Sequence, residues 1–500
     1  MNTIKIIKSC AVLFITALIT TSCSDYLDVN DNPNDPSIST PSLTLPFAQR
    51  DLADLNARSM TYLGQYFAYN WATPSNWSAN QEFSRYTVTS TFYSTIFETS
   101  YGSILKNLTY VLNYGTEGGA VDYSAYKAIA TTLRGYQYQY LVDLYGDVPY
   151  TEANQRSANI TPKYDDAETI YKSVIAELTS AATTALNLPL NAENPETQDI
   201  INHGDMEAWA QFANTIKLRM LVRLSNTNQD AYIKEQIALI DANGAGYITA
   251  DVATNPGYSN NEFKQNPFWD YFRAFGTGNQ TDRGDYTVAS DFTINYLTTT
   301  NDPRRNRLYA ASASGAAYKG APQVTTLPGT GFTSNELSKV GPGLLKSATQ
   351  DQAIMTVAEA LFLQAEAISR GYIAGGNAAA KIKYEDAIKA SFTFLGVPNA
   401  EAAATVYYNQ DFTNISWNSS PNKIEAIINQ KWIALNGTNS IELWIEKTRT
   451  GFPTAMPIPA EGGGTRPVRL LYPASEIARN SNNVPPQTPQ SAFTDNPFWK

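Results

Sequence analysis

Histidine and cysteine, two residues that commonly carry out catalysis, are scarce in this 500-residue sequence, whereas carboxylates are plentiful. His203 is the only histidine, so two imidazoles are not available to divide acid and base roles or to build a His-based zinc site. Cys10 and Cys23 are the only cysteines. The 46 acidic residues leave room for a carboxylate pair about 5–10 Å apart, as in glycosidases. A surface glycoside hydrolase is therefore one open alternative, while no metal and no cofactor are predicted.

Aromatic side chains are abundant, with 31 Tyr, 20 Phe and 8 Trp, and only 16% of residues are charged. Tyr and Trp combine a flat apolar face with a hydrogen-bonding edge, which suits neutral polar ligands. We expect an aromatic platform built by residues 64–80 and 262–290, where "YFAYNWATPSNW", "NPFWDYF" and "DRGDY" have the composition of loops. The candidate ligand-binding residues are Tyr69, Trp71, Trp77, Trp269, Tyr271, Arg283 and Asp285.

The first 22 residues have the pattern of an export signal. Lys5 and Lys8 precede the apolar run Ala11–Ile19, which is shorter than the about 20 residues needed to cross a bilayer. Small residues and then Cys23 follow, as in a bacterial lipoprotein signal, although Thr20 departs from the usual apolar residue at its position. We expect Cys23 to carry a lipid and to become the new N-terminus. An ordinary signal peptide with an incidental cysteine is the alternative.

The segment behind this cysteine, residues 23–44, is rich in Asn, Asp, Pro and Ser and should form little regular structure. Asp28, Asn30 and Asn32 have the spacing that opens an EF-hand loop. However, Ser39 stands where such a loop needs a bidentate glutamate. The composition therefore favours a flexible tether over a calcium site.

The net charge argues against one class of partner. The chain carries a formal charge of −10, which becomes −12 once the two lysines of residues 1–22 are removed. Such a chain repels nucleic acid unless it has a basic patch, and the only local cluster is "DPRRNR". No nucleic-acid partner is predicted.

The rest of the chain, residues 45–500, has the apolar periodicity of amphipathic helices. One helix should end at Gly146, another should be capped by Asp205, and "PNKIEAIINQKWIALNGTNSIELWIEKTRTG" reads as a further helix. Tyr171-x-x-Val174-Ile175 and Tyr384-x-x-Ala387-Ile388 recur in the second helices of two helix pairs, a weak sign of tetratricopeptide-like repeats. Long loop-rich stretches separate the pairs, at about 64–100, 243–290, 300–347 and 396–422.

Five motifs in a fixed order resemble the SusD/RagB family of outer-membrane nutrient-binding lipoproteins. They are "CSDYLDVNDNPNDP", "LRGYQYQYLVDLYGDVPYTEA", "AEALFLQAEAISRG", "INQKWIALNGTNSIELWIEKTRTGFP" and "RLLYPASEIARNSNNV". They extend from residue 23 to about residue 484, so the resemblance covers nearly the whole chain.

The resemblance implies a mainly α fold in which tetratricopeptide-like helix pairs form a right-handed superhelix and long loop-rich insertions carry the ligand site. It divides the chain into a signal peptide (1–22), a tether (23–44) and a SusD-like nutrient-binding domain (45–500). It implies a non-catalytic lipoprotein on the outer face of the outer membrane of Bacteroidetes. This protein would bind an oligosaccharide and deliver it to a SusC-like TonB-dependent transporter. Peptide binding by a RagB-like protein of the same architecture is the second alternative.

Overall fold

A computed structural model of the protein describes residues 39–115, 121–315 and 317–500. Within these ranges the chain is mainly helical, as predicted. The α-helices are α1 (Pro41–Leu55), α2 (Thr61–Phe67), α3 (Gln81–Arg85), α4 (Thr95–Thr99), α5 (Lys106–Leu112), α6 (Ser124–Tyr145), α7 (Ala167–Leu186), α8 (Met206–Arg223), α9 (Asp230–Asn243), α10 (Pro267–Phe272), α11 (Asp282–Tyr286), α12 (Asp291–Thr299), α13 (Arg305–Leu308), α14 (Val357–Ser369), α15 (Gly376–Leu395), α16 (Ala400–Tyr408), α17 (Lys423–Ala434), α18 (Ile441–Thr450), α19 (Ala474–Arg479) and α20 (Ser491–Thr494). Single π-helical segments, Asn56–Met60 and Ser100–Leu105, join α1 to α2 and α4 to α5.

The N-terminal boundary differs slightly from the prediction. Pro41–Lys500 forms one compact unit, and α1 begins at Pro41 instead of residue 45, so the last four residues of the predicted tether are helical. Proline suits the first turn of a helix, and Leu45, Ala48 and Leu52 bury one face of α1. The predicted signal peptide and Cys23 lie outside the described residues.

The long helices pack as neighbouring pairs, with α6 against α7, α7 against α8, and α14 against α15. Helices α6 and α7 approach closely at Gly135, where a Cβ would lie 2.9 Å from the Leu178 side chain. The recurring apolar positions of α7 and α15 are buried, among them Tyr171 and Tyr384. These two helices therefore occupy equivalent places in their pairs.

Local signals located several helix ends correctly. Asp205 caps α8, because its carboxylate accepts a hydrogen bond from the backbone N–H of Ala208 at 3.0 Å. Helix α6 ends at Tyr145, and Gly146 follows with φ +80°. Glycine adopts this conformation without the steric cost that a side chain would add.

One helix prediction was wrong. The segment expected to form one helix near the C-terminus is two helices, α17 and α18, separated by the turn around Gly437. Gly437 has φ +82°, and a Cβ there would lie 2.2 Å from the Leu344 side chain. Trp432 and Trp444 therefore lie on different helices, although both are buried in the core.

The predicted loop-rich stretches contain regular structure of their own. Short strands lie there or border them: β1 (Trp71–Ala72), β2 (Val252–Thr254), β3 (Val288–Ala289), β4 (Tyr309–Ala310), β5 (Lys339–Val340) and β6 (Gln352–Met355). Four of them form an antiparallel sheet in the order β1-β3-β5-β4, and β2 pairs with β6. In this register Trp71 lies opposite Ala289, and Val288 lies opposite Lys339. The sheet thus brings distant loops to one place.

A cluster of paired charges is buried where α6, α8, α14, α17 and α18 meet. Its members are Asp143, Arg219, Arg223, Glu359, Glu366, Lys431, Glu442, Glu446 and Arg449. Arg223 forms ion pairs with Asp143 (3.3 Å), Glu442 (2.5 Å) and Glu446. Buried charges persist only when they are paired, so this cluster fixes the helices relative to one another.

Candidate ligand-binding site

The indole of Trp77 is held in place by a carboxylate from a distant part of the chain. Trp77 Nε1 donates a hydrogen bond to Asp285 Oδ2 at 2.7 Å, and its ring makes an edge contact with Tyr286, with 5.5 Å between centroids. Ser334 Oγ and Lys339 Nζ also donate to Asp285. We call this group of five residues the Trp77 site. It joins two of the predicted ligand-binding residues, Trp77 and Asp285, across 208 positions of sequence.

The charge state of Asp285 follows from its partners. Partial burial acts to raise its pKa, but the hydrogen bonds from Lys339 and Trp77 outweigh burial and lower the pKa below its ordinary value. Asp285 is therefore ionised at neutral pH. A general acid of a glycosidase needs a raised pKa, so Asp285 is suited to orienting neighbours instead of donating a proton.

The loop that carries Trp77 is anchored on both sides. Asn76 and Ser334 exchange hydrogen bonds, with the Ser334 N–H donating to Asn76 Oδ1 at 2.8 Å. Asn80 has φ +57°, and its amide donates to the hydroxyls of Tyr62 and Tyr66 at 3.0 and 2.8 Å. These bonds fix residues 76–80 against the aromatic core and hold Trp77 in a defined position.

A second pair of predicted residues meets beside the same short helix, α11. The guanidinium carbon of Arg283 lies 3.8 Å from the ring centroid of Tyr271 and 5.7 Å from that of Tyr62. Tyr271 in turn packs edge-on against Tyr62, with 5.7 Å between centroids. This stack leaves the Arg283 Nε–H buried without a hydrogen-bond partner among the described residues. Cation–π attraction therefore holds Arg283 in place.

Trp269 is half-buried on α10, close to this stack. Its backbone N–H is bonded to the side chain of Asn266, which caps the helix. Its indole Nε1 is buried and has no partner within the described parts of the chain. Trp269 and Tyr271 therefore stay candidates for ligand contact, with Trp269 offering an unused donor.

The other two predicted residues, Tyr69 and Trp71, are in the interior. Tyr69 is 4% exposed and Trp71 is 1% exposed. The Tyr69 hydroxyl accepts a hydrogen bond from the backbone of Gln323, and Trp71 packs against Tyr62 and Phe272. Both side chains are therefore part of the core in this structure, and ligand contact by either of them stays a prediction.

Sequence reasoning missed most of the polar groups that hold the Trp77 site. Tyr286 follows directly after "DRGD" and could have been included by its position. Lys339 and Ser334 carried no such signal, because Lys339 reaches Asp285 through the pairing of β3 with β5 and Ser334 lies in the loop before β5. Gln280, which accepts from Lys339 at 2.9 Å, was missed for the same reason.

The surface beside Trp77 is shallow. A depression of about 100 Å³ is lined by residues 73–75, 77–79 and 324–327 together with Gln81 and Ser84. Ligand pockets that enclose a small molecule usually have about 300–1,000 Å³. The depression is therefore smaller than a pocket that encloses a small molecule.

Two further features bear on the chemistry. Within residues 39–115, 121–315 and 317–500, no group of three or more His, Cys, Asp or Glu side chains is arranged to hold a metal ion. Over the same described ranges, no helix combines the length and the apolar character needed to cross a membrane.

Comparison with known proteins identifies the family to which this chain belongs. The SusD-like family, described as "Starch-binding associating with outer membrane", matches residues 33–473. The chain belongs to the SusD-like family. The match spans α1 to the end of the Tyr-Pro segment before α19, and so includes every residue of the Trp77 site.

Solved structures resemble this SusD-like protein over nearly its whole length. A chitin-binding protein is 25% identical, with a TM-score of 0.74, covering 89% of this chain and 95% of its own. A chitin-binding SusD homologue from Flavobacterium johnsoniae is 20% identical, with a TM-score of 0.72, covering 92% and 97%. A SusD homologue from Bacteroides fragilis is 21% identical, with a TM-score of 0.71, covering 92% and 99%. No curated protein matches the SusD-like chain.

Proposed function

We propose that this SusD-like protein binds a neutral oligosaccharide at the Trp77 site and delivers it to a SusC-like TonB-dependent transporter. The observation that carries the ligand proposal is the bond from Trp77 Nε1 to Asp285. Because the polar edge of this half-buried indole is already occupied, its remaining accessible surface is apolar ring. A sugar ring has an apolar face that fits such a surface, and its hydroxyls can reach the polar groups around it.

The family description and the ligand named for a similar protein both indicate a neutral glycan. The family description names starch, and the chitin-binding protein at 25% identity binds another neutral glycan. Maltohexaose and chitohexaose are therefore the two saccharides with which to test the site. The Tyr271–Arg283 stack and Trp269 would extend the contact beyond one sugar ring.

Titration calorimetry with these two saccharides tests the site. Trp77→Ala should weaken binding by about 1–3 kcal/mol, the loss expected for an aromatic anchor. Its melting temperature should change little, because Trp77 is half-buried and lies in a loop. Phe412→Ala, which removes a 40% exposed aromatic ring outside the site, is the matched control and should bind normally. Unchanged affinity in Trp77→Ala would place the ligand elsewhere.

The absence of catalysis is part of the proposal. The low pKa of Asp285 supports it, as does the description of SusD-like relatives as binding proteins. Chromatography of maltohexaose and chitohexaose after long incubation should show no shorter products. Hydrolysis that persists in independently purified samples would favour the glycoside hydrolase alternative. Binding of a peptide library without any saccharide binding would favour the RagB-like alternative.

A lipid on Cys23 would keep the binding site at the outer face of the outer membrane. A single acyl chain holds a protein only marginally, whereas two or more give stable attachment. Cys23→Ala should therefore move the protein from the membrane fraction to the soluble fraction in cells that lack the transporter. Retention of Cys23→Ala in the membrane fraction of those cells would refute the anchor.

The transporter partner is proposed from the family resemblance and from the logic of uptake. A binding protein held at the cell surface benefits the cell only if its ligand is passed inward. Tethering raises the local concentration of the two proteins, so modest contacts suffice, and a permanent lid should bury more than about 2,000 Å². Affinity purification after gentle detergent extraction should recover a large barrel protein in near-equal amount. Recovery of the SusD-like protein alone would contradict the lid arrangement.

A further inference from the structure

A second, larger opening lies away from the Trp77 site. It is a cleft of about 860 Å³ between the paired strands β2 and β6, the loop that precedes β6, and helix α15. Its lining includes residues 249–251, 349–353, 389–390 and 393–394 and the turn at Gly437 and Thr438. We call it the β2–β6 cleft. None of the residues of the Trp77 site lines it, and its volume is in the range of pockets that enclose small ligands.

Most charged side chains at the β2–β6 cleft are paired or hydrogen-bonded within the protein. Asp251 accepts a hydrogen bond from the Val357 backbone at 2.7 Å, and Asp351 accepts one from Asn255 at 2.7 Å. Lys346 donates to the Phe394 carbonyl at 2.9 Å. The second lysine of the lining, at position 389, is paired with an aspartate of its own helix. Of the five charged residues that line the cleft, only Glu401 has no such partner among the described residues, and a carboxylate accepts hydrogen bonds from hydroxyl groups.

One buried side-chain atom among the lining residues has no partner. Thr438 is 6% exposed, and its Oγ1 is buried without a hydrogen-bond partner among the described residues. The backbone carbonyl of the same residue is used, since it accepts from Thr61 Oγ1 at 2.5 Å. Buried hydroxyls are usually satisfied, so this hydroxyl is an unused hydrogen-bonding group in the lining of the cleft.

The cleft also offers an apolar surface of limited size. Phe394 is half-buried, and Lys346 Nζ lies 4.5 Å from the centre of its ring. The free hydroxyl of Thr393 precedes it on the same exposed stretch of α15, with no partner in the described chain. A neutral ligand with many hydroxyls and one apolar face matches this combination of an aromatic ring and threonine hydroxyls.

We propose that the β2–β6 cleft is a second saccharide-binding site, separate from the Trp77 site. This inference rests on the proposed saccharide function and assigns it a second point of attachment. Two separated sites would hold a long chain more tightly than either alone, because the second contact forms within an already bound complex.

Thr438→Val provides the sharpest test, because it replaces the free hydroxyl with a methyl group of similar shape. No hydrogen bond within the protein is lost, so the melting temperature should be unchanged or slightly higher. Binding of a saccharide that uses this hydroxyl should weaken by about two- to tenfold. Thr393→Trp is the second variant: it fills the cleft from an exposed helical position and should block binding there. Thr183→Val, on the exposed face of α7, is the control.

The measurement is calorimetric titration of the full chain with chitohexaose and maltohexaose. The unmodified protein should bind at two sites, and Trp77→Ala should keep the weaker one. Adding Thr438→Val or Thr393→Trp to Trp77→Ala should reduce that residual binding, while Thr183→Val should not.

Three results would overturn the second site. Complete loss of binding in Trp77→Ala would show a single site, and residual binding that both cleft variants leave intact would place the second contact elsewhere. Loss of transporter association in Thr393→Trp, with residual saccharide binding unchanged, would show that the cleft receives a protein segment. If the unmodified protein binds neither saccharide, the proposed saccharide function itself fails, and the cleft assignment fails with it.

Discussion

Asparagine at position 285 tests whether a carboxylate positions the Trp77 indole. In the structure the Asp285 carboxylate accepts hydrogen bonds from three donors, which belong to Trp77, Ser334 and Lys339. Asp285→Asn has nearly the same shape but only one acceptor oxygen, and its amide group would point two donors of its own at this cluster. At least one of the three bonds must be lost.

The size of the effect follows from the type of bond that is lost. A hydrogen bond to a charged group contributes about 1.5–3 kcal/mol, and the half-exposed position of Asp285 favours the lower end. If the indole must hold its position to stack on a sugar, a loss of about 1.4 kcal/mol corresponds to tenfold weaker binding. We therefore expect Asp285→Asn to bind chitohexaose or maltohexaose about tenfold more weakly.

Two-dimensional NMR of the indole N–H groups, combined with calorimetry, measures both parts of this reasoning. The Trp77 indole signal, assigned by its disappearance in Trp77→Phe, should shift strongly in Asp285→Asn. Asp282→Asn makes the same charge change in the exposed first turn of α11 and should leave signal and affinity unaltered. An unshifted indole signal together with unchanged affinity in Asp285→Asn would refute the positioning role.

Three further outcomes are expected. The pKa of Asp285 is lower in the folded protein than in the unfolded chain. Its hydrogen bonds therefore stabilise the fold above the unfolded pKa of about 4, and this stabilisation is lost as the pH falls through the folded pKa. Urea unfolding between pH 7 and 3 should show the loss in the native protein but not in Asp285→Asn. Arg223→Met should lower the free energy of unfolding by about 3–5 kcal/mol, because three buried carboxylates lose a partner, whereas Lys172→Met, at a surface ion pair, should cost less than about 0.5 kcal/mol in the same assay. Trp71→Ala should cost about 3–5 kcal/mol of stability by calorimetry, since its ring is buried, and a stable protein with impaired binding alone would contradict its place in the core.

Local physics made parts of this fold predictable from sequence. The Asp205 cap and the Gly146 stop depend on a few neighbouring residues, and both are where the periodicity placed them. The break at Gly437 was missed because a single glycine within an apolar period can be tolerated in a helix. Only the Leu344 side chain, which occupies the space where a Cβ would be, makes the turn necessary.

The candidate site was predictable in composition but not in assembly. Tryptophan-rich loops indicated a platform, and the structure does bring Trp77 to Asp285 and Arg283 to Tyr271. Which aromatic rings face inward could not be read from the loops, because they lack the periodicity that separates core from surface in a helix. Trp71 is therefore buried although the sequence around it resembles the sequence around Trp77.

The buried charge cluster has a consequence for the order in which the protein can mature. Trp499 Nε1 donates to the Asp143 carboxylate at 2.8 Å, across 356 positions of sequence, and the same indole lies over Arg223. A ribosome adds about 5–20 residues per second, so roughly 20–70 s separate the synthesis of these two partners. During that interval, closing the interior around Asp143 would bury its carboxylate without the indole donor of Trp499.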